Sequence, residues 1–106
     1  MFFELRQYRT LPGQREAWVA FMEETIIPFQ VSKGMVVVGS FVGQEEDDLY
    51  IWIRRFESEE QRVALYKAVY ETDFWKDEVA PQVSAMLDRT RHVITRIEAT
   101  PKSVIR

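Results

Sequence analysis

The two most informative segments of this chain are strand-like runs in which neither face is plainly a solvent-facing one. Residues 2–8 read FFELRQY, and residues 49–56 read LYIWIRRF. Successive side chains of a strand point to opposite sides, so the second run places Leu49, Ile51 and Ile53 on one face. The other face then carries Tyr50, Trp52, Arg54 and Phe56. We expect helices to cover the aliphatic face, and a second copy of the chain to cover the face of aromatics and arginines.

The bulk composition predicts one globular domain over residues 1–106. Hydrophobic residues make up 46% of the chain and charged residues 29%, which are ordinary values for a folded protein. A formal net charge of −3, with no cluster of lysines and arginines, argues against nucleic acid as a partner, because phosphate binding depends on clustered cations. We therefore expect a folded domain that does not bind nucleic acid.

The absence of cysteine and of long apolar runs bears on location. With no cysteine the chain has no disulfide and no thiolate ligand, which fits a reducing compartment, and we expect a cytoplasmic protein. The run at residues 35–38 is far shorter than the ~20 residues that cross a bilayer. The first residues alternate and include Glu4 and Arg6, so we expect neither a membrane span nor an export signal.

The predicted order of elements is β-α-β-β-α-(α)-β. Strand patterns occupy residues 2–9, 35–42, 49–56 and 89–98. The first helix ends near residue 31 after a kink at Pro28, and the second begins at Ser58, which forms a capping box with Gln61. Its predicted inner face comprises Val63, Tyr66, Ala68, Val69 and Tyr70. The fold class is α+β: a ferredoxin-like, four-stranded antiparallel sheet with helices on one face and the first and third strands central.

Charged and aromatic residues on neighbouring strands form the candidate ligand site. The residues concerned are Glu4, Arg6, Tyr8, Trp52 and Arg54. Arginine can hold a carboxylate through paired hydrogen bonds, and aromatic walls suit a planar, acidic or phenolic ligand. The alternative is that Glu4 pairs with Arg6 or Arg54 only to satisfy charges inside a dimer.

His92 is the candidate general base, because it is the one histidine and its side chain titrates near neutrality. We expect it at the surface or at an interface. If it shares a face with Ile94 and Arg96, it points into the barrel instead. The strand register decides between the two, since a shift of one residue reverses every side chain.

The chain carries no motif for metal or nucleotide chemistry. It has no glycine-rich phosphate loop, no G-x-S-x-G elbow and no H-E-x-x-H helix. The acidic run at residues 45–48 lacks the alternating ligands of an EF-hand and is typical of a solvated hairpin. We expect neither a metal site nor a cofactor.

Three segments resemble the NIPSNAP family, within the dimeric α/β-barrel group. They are residues 4–13 (ELRQYRTLPG), 38–41 (VGSF) and 52–58 (WIRRFES), and the stretch from Tyr70 to Trp75 resembles the family's second-helix region. The resemblance spans nearly the whole chain. It implies a homodimer in which two four-stranded sheets close face to face into a barrel.

The resemblance implies little about chemistry, because NIPSNAP domains have no well-defined catalytic signature. Animal members are linked to mitochondrial and vesicle-related roles through partner proteins, whereas related dimeric barrels include cofactor-independent monooxygenases and small-molecule cyclases or dehydratases. We expect a dimeric barrel that binds a small organic molecule or a protein partner. The alternative is a cofactor-independent monooxygenase or related enzyme acting on an aromatic or polyketide-like substrate. The sequence leaves open whether the protein is an enzyme.

Overall fold

The computed structural model describes residues 1–106 and contains four strands and four α-helices. The strands are β1 (Phe2–Arg9), β2 (Val36–Val42), β3 (Leu49–Phe56) and β4 (Val93–Ile97). The α-helices are α1 (Arg15–Phe21), α2 (Ile27–Ser32), α3 (Glu59–Tyr70) and α4 (Ala80–Met86). This order confirms the predicted α+β fold.

The four strands form one antiparallel sheet in the order β2-β3-β1-β4, so the first and third strands are central as predicted. Residues of β1 and β3 pair across the centre, with Glu4 opposite Arg54 and Tyr8 opposite Tyr50. Partners in an antiparallel pair share a face. The register therefore gathers the charged and aromatic residues of both central strands on one side of the sheet.

The prediction of which face the helices cover is wrong. The residues placed on the open face, such as Trp52, Arg54 and Phe56, are fully buried and contact the helices. The aliphatic residues Ile51 and Ile53 lie on the opposite face and are only partly buried. The reason is that α2 and α3 supply polar partners for the charged face, whereas aliphatic side chains need none.

The uncovered face of the sheet is strongly apolar. Its partly buried centre comprises Leu5, Leu49, Ile51 and Ile53, and its exposed margin comprises Val36, Phe41, Val93 and Ile97. We call these eight residues the apolar face. A β-bulge lies between Val37 and Gly39, and the ring of Phe41 packs so close to Gly39 that a Cβ there would stand 2.6 Å from it.

Two helices contain a π-helical segment directly before a proline. In Met22–Ile26 the segment ends where the N–H of Ile27 donates to the carbonyl of Met22, five residues earlier. In Phe74–Val79 the N–H of Ala80 likewise donates to the carbonyl of Trp75. Pro28 and Pro81 follow immediately, and neither has an N–H to continue the ladder. The kink predicted at Pro28 therefore takes the form of a widened turn, and Pro81 follows a second one.

The capping prediction for α3 is confirmed, but its inner face is only partly as predicted. The Ser58 hydroxyl accepts from the N–H of Gln61 at 3.1 Å. Val69 is fully buried, whereas Val63 points to solvent. None of the helices is long and apolar enough to cross a membrane.

The fourth strand begins later than predicted. The side chain of Asp88 accepts from the N–H of Thr90 at 3.2 Å, and Arg89–Arg91 form a 3₁₀ turn. This turn replaces the first residues of the expected strand, and β4 starts at Val93.

Candidate functional site

A buried ion cluster, formed by Glu4, Arg6 and Arg54, joins the two central strands beneath the helices. Glu4 Oε1 accepts from Arg54 Nη2 at 2.6 Å and from Arg6 Nη1 at 3.2 Å. The side chain of Arg54 has no exposed surface, and that of Glu4 is 5% exposed. Buried charges persist in proteins when they are paired and hydrogen-bonded, as they are here.

Two phenols of α3 and an amide of α2 add hydrogen bonds to the ion cluster, in which Arg54 Nε is the one buried atom without a partner. Tyr66 Oη donates to Glu4 Oε2 at 2.6 Å. Arg54 Nη1 donates to Tyr70 Oη and to Gln30 Oε1, both at 2.8 Å. Burial raises the pKa of Tyr66 to about 12, so its phenol keeps the proton that it donates. The helices thus supply the partners that the charged strand face requires.

The ion cluster carries a surplus positive charge. Burial by itself raises the pKa of Glu4, but Arg54, Tyr66 and Arg6 outweigh it and hold the pKa below its usual value. The carboxylate is therefore ionised at neutral pH, and it faces two guanidiniums. One positive charge remains without a counter-ion in the chain.

A cavity of about 250 Å³ lies beside the ion cluster, between the sheet and the helices. Its thirteen lining residues include ten apolar or aromatic ones. All three tryptophans of the chain line it, together with three tyrosines: Trp18, Trp52, Trp75, Tyr8, Tyr66 and Tyr70. Both π-helical segments contribute to the wall, through Met22 and Ile26 in the first and Trp75 in the second. Its polar members are Arg6, Arg89 and His92.

Several hydrogen-bond donors of the lining residues have no acceptor in the chain. The indole Nε1 atoms of Trp18 and Trp52 are buried without a partner. Arg6 uses Nε and Nη1 in bonds to Tyr8, Glu4 and Tyr66, while its Nη2 makes none. The Tyr8 hydroxyl accepts from Arg6 Nε at 2.6 Å, and its own proton has no acceptor. Buried polar groups are nearly always paired, so the two indole nitrogens are the exceptions in this wall, and Arg6 Nη2 and the Tyr8 proton are further donors open to a ligand.

His92 lines the cavity and is partly buried. Its ring stacks on Tyr8 with centroids 4.3 Å apart, on the helix-covered side of the sheet. The ring nitrogen Nε2 is buried and has no partner in the chain. Burial first, and then the charges of Arg6 and Arg89, lower the pKa of His92 below 6.5. The imidazole is therefore neutral at pH 7.

The structure divides the predicted site residues into two groups. Arg6, Tyr8, Trp52 and His92 line the cavity. Glu4 and Arg54 lie behind the wall, where they pair with each other, and they do not line it. No three acidic or histidine side chains converge as metal ligands, and the acidic hairpin is instead held by Arg9, which contacts Asp48 at 2.8 Å.

Sequence reasoning missed most of the helix side of the cavity. Tyr66 and Tyr70 belong to the predicted inner face of α3, but neither they nor Trp18 are among the predicted site residues. The available signal was that Tyr66 and Tyr70 lie on the inner face of α3. A buried phenol hydroxyl needs a polar partner, and the charged strand residues could provide one. That signal became readable only once the helix-covered face was known. Arg89 carried no signal, since it lies on a turn that was read as strand.

The comparisons with known proteins agree on the family. A family model described as NIPSNAP matches residues 3–101. A NIPSNAP-family protein of unknown function from Agrobacterium tumefaciens has 20% identity and a TM-score of 0.89, over 100% of this chain and 94% of that chain. An uncharacterized NIPSNAP domain protein from Burkholderia xenovorans has 12% identity and a TM-score of 0.84, over 96% of this chain and 97% of that chain. No curated protein matches the sequence.

A more distant structural likeness extends to an antibiotic biosynthesis monooxygenase. It has 14% identity and a TM-score of 0.67, over 95% of this chain and 100% of that chain. At this identity the likeness concerns the fold alone. The family model, by contrast, covers nearly the whole sequence and agrees with the nearer structures. The chain therefore belongs to the NIPSNAP family.

Proposed function

We propose that this protein binds a small, planar, anionic organic molecule in the cavity between its sheet and its helices. The observation that carries the proposal is the donor-rich wall beside a surplus positive charge. Arg6 Nη2, the Tyr8 hydroxyl and the indole nitrogens of Trp18 and Trp52 all lack acceptors. A carboxylate or phenolate supplies both the acceptors and the missing negative charge.

The shape of the cavity favours a small aromatic acid. The acidic group of such a ligand meets Arg6 Nη2 and the Tyr8 hydroxyl, and its ring lies among the tryptophans. Drug-sized ligands occupy pockets of ~300–1,000 Å³. A cavity of about 250 Å³ is smaller than that range and suits a ligand of one or two rings.

We also propose that the protein is a homodimer that pairs through the apolar face. A contiguous apolar surface of this kind marks an interaction site on a small protein. The apolar face includes Phe41, Val93 and Ile97 among its exposed members. The charged residues of the central strands on the same side are Arg9 and Arg55. A second copy presents an identical apolar face, so two sheets packed face to face bury both. The cavity lies on the other side of each sheet and stays within one protomer.

The binding proposal is tested by NMR titration with trans-cinnamate. The three indole N–H signals of the protein report directly on the cavity, because all three tryptophans line it. We expect saturable shifts of these signals on addition of cinnamate. Crosspeaks of the exposed acidic hairpin at residues 44–47 serve as the internal reference and are expected to stay in place.

The matched control ligand is trans-cinnamamide, which has the same shape without the charge. We expect it to bind at least about tenfold more weakly, since hydrogen bonds to charged groups are worth ~1.5–3 kcal/mol. Equal affinity for acid and amide contradicts an anion site. An absence of indole shifts with either compound contradicts the cavity as the binding site.

A second candidate function is a cofactor-independent monooxygenase acting on an aromatic substrate. The observation that favours it is the place of His92 in the cavity wall beside Tyr8 and Trp52, where a phenolic substrate could lose its proton. Oxygen consumption with a set of dihydroxyaromatic and anthrone-type compounds tests this candidate. Consumption above the rate of the buffer alone supports it, and binding without consumption leaves the small-molecule carrier.

A further inference from the structure

The cavity wall contains one proton acceptor among many donors. Arg6 Nη2, the Tyr8 hydroxyl and the indole nitrogens of Trp18 and Trp52 are donors without an acceptor in the chain. His92 is the exception, because a neutral imidazole carries one nitrogen that accepts, and its Nε2 is buried with no partner in the chain. Glu4 cannot serve as the base, since it does not line the cavity and its oxygens are engaged by Arg54, Arg6 and Tyr66.

We propose that His92 removes a proton from the carbon beside the carbonyl of an aromatic oxo acid bound in the cavity, that Arg6 Nη2 holds the carboxylate, and that the Tyr8 hydroxyl, next to it, donates to the resulting enolate oxygen. This activity deepens the proposed binding function and rests on it. It makes the protein a tautomerase of enolisable aromatic acids.

The proton transfer balances within the cavity. The C–H bond breaks and its electron pair forms the C=C bond, while the carbonyl π pair moves to oxygen. The proton goes to His92 Nε2. Return of the proton to the oxygen gives the enol, and return to the carbon regenerates the keto acid. No oxidant, metal or other co-reactant is consumed.

The surroundings of His92 suit this role. The groups that face it are the Tyr8 ring and Arg6 on β1, together with Asp88 and Arg89 on the segment before it. Burial and the two arginines outweigh Asp88 and keep the imidazole neutral at pH 7. The same arginines stabilise the negative charge that develops on the substrate. Donors placed where charge develops are worth more in a buried site than in water.

The stack of His92 on Tyr8 fixes the base relative to the donors. The ring centroids lie 4.3 Å apart, and the Tyr8 hydroxyl is 2.6 Å from Arg6 Nε. Base and oxyanion donors therefore surround one side of the same cavity. A planar enolate fits this arrangement because its carbon and its oxygen lie in one plane with the conjugated ring.

The probe for the test is phenylpyruvate in deuterated buffer. Proton NMR follows the loss of its C3 protons by exchange, with the rate in buffer alone subtracted. We expect the protein to accelerate the exchange, with a rate that rises as His92 loses its proton below pH 6.5 and is flat above. His92→Asn is expected to lower the protein-catalysed rate by about a hundredfold or more.

The matched control is Arg91→Gln, because Arg91 is next to His92 in sequence, is exposed and does not line the cavity. We expect its exchange rate to equal that of the unaltered protein. Cinnamate has no enolisable proton, so its binding to His92→Asn, followed by the indole signals, separates a loss of chemistry from a loss of the site.

The outcomes are distinguishable. Exchange that persists in His92→Asn overturns His92 as the base. Binding of cinnamate without acceleration of phenylpyruvate exchange overturns the tautomerase proposal and leaves the binding function standing. If cinnamate does not bind to the unaltered protein, the binding function is overturned, and the tautomerase proposal that rests on it falls as well.

Discussion

Arg54 Nη2 lies 2.6 Å from Glu4 Oε1, and this bond links the two central strands at paired positions of the sheet. The same carboxylate oxygen accepts from Arg6, whose remaining nitrogen Nη2 has no partner in the chain. One carboxylate thus serves two guanidiniums, and the guanidinium nearer to the cavity keeps a free donor. A buried structural pair and a candidate ligand site are parts of one arrangement.

Removing the shared carboxylate should destabilise the fold strongly. Glu4→Gln leaves Arg6 and Arg54 buried together without a counter-charge, and breaking such a pair costs ~3–5 kcal/mol. The double variant Glu4→Gln with Arg54→Met removes one of the stranded charges and should recover about 1 kcal/mol or more. Urea unfolding measures the free energies. The exposed Glu45→Gln is the control, and a Glu4→Gln variant as stable as that control contradicts the importance of the ion cluster.

Replacing Arg6 should weaken ligand binding. Arg6→Gln removes the surplus charge and the free Nη2 donor, so cinnamate should bind about tenfold to a hundredfold more weakly. Calorimetric titration gives the affinity, and the indole signals confirm that the cavity is intact. Arg91→Gln is the matched control at an exposed arginine outside the wall. Equal affinity in Arg6→Gln and in the unaltered protein rules Arg6 out as the anion partner.

The titration of His92 should depend on Arg89. Burial lowers the pKa of His92 below 6.5, and the positive charges of Arg6 and Arg89 lower it further. Arg89→Gln should therefore raise this pKa, which NMR of the imidazole ring measures. Because protonation is easier in the unfolded chain, stability should fall as the pH drops from 6.5 toward the folded-state pKa. A pKa unchanged by Arg89→Gln, or one above 6.5, argues against the position of His92 described above.

A charge on the apolar face should disrupt the dimer. Ile53→Asp places a carboxylate at the centre of that face, and burying it against a second sheet is costly. Analytical ultracentrifugation should show a dimer for the unaltered protein and a monomer for this variant. Val63→Asp, on the exposed side of α3, should leave the dimer intact. A monomer for the unaltered protein at micromolar concentration contradicts the dimer proposal.

The sequence predicted the strands and their order because alternation and turn residues are local signals. It predicted that Glu4, Arg6, Tyr8, Trp52 and Arg54 share a face, since strand period and pairing decide that. The prediction of which sheet face the helices cover was wrong, because the aliphatic and the aromatic face are both apolar enough to be buried. Only polar residues on the helices, such as Tyr66, show that the helices pack on the charged face. The place of His92 depended on a register that no local pattern fixes.

The π-helical turns show another limit of sequence reasoning. Pro28 and Pro81 signal a disturbed helix, but the widened turn before each proline depends on how the helix packs on the sheet. The cavity arises in the same way, from side chains that meet across the sheet–helix interface. Its donors could be counted only after the partners of every buried polar atom were known. The cytoplasmic location inferred from the sequence stays a prediction.

A crystal structure of the protein with trans-cinnamate is the most direct test of the central claim. We expect the cinnamate ring to lie among Trp18, Trp52 and Trp75, with a carboxylate oxygen within hydrogen-bond distance of Arg6 Nη2 and the Tyr8 hydroxyl. A carboxylate held only by exposed arginines, with the cavity free of ligand, contradicts the claim that this cavity is built for an organic anion.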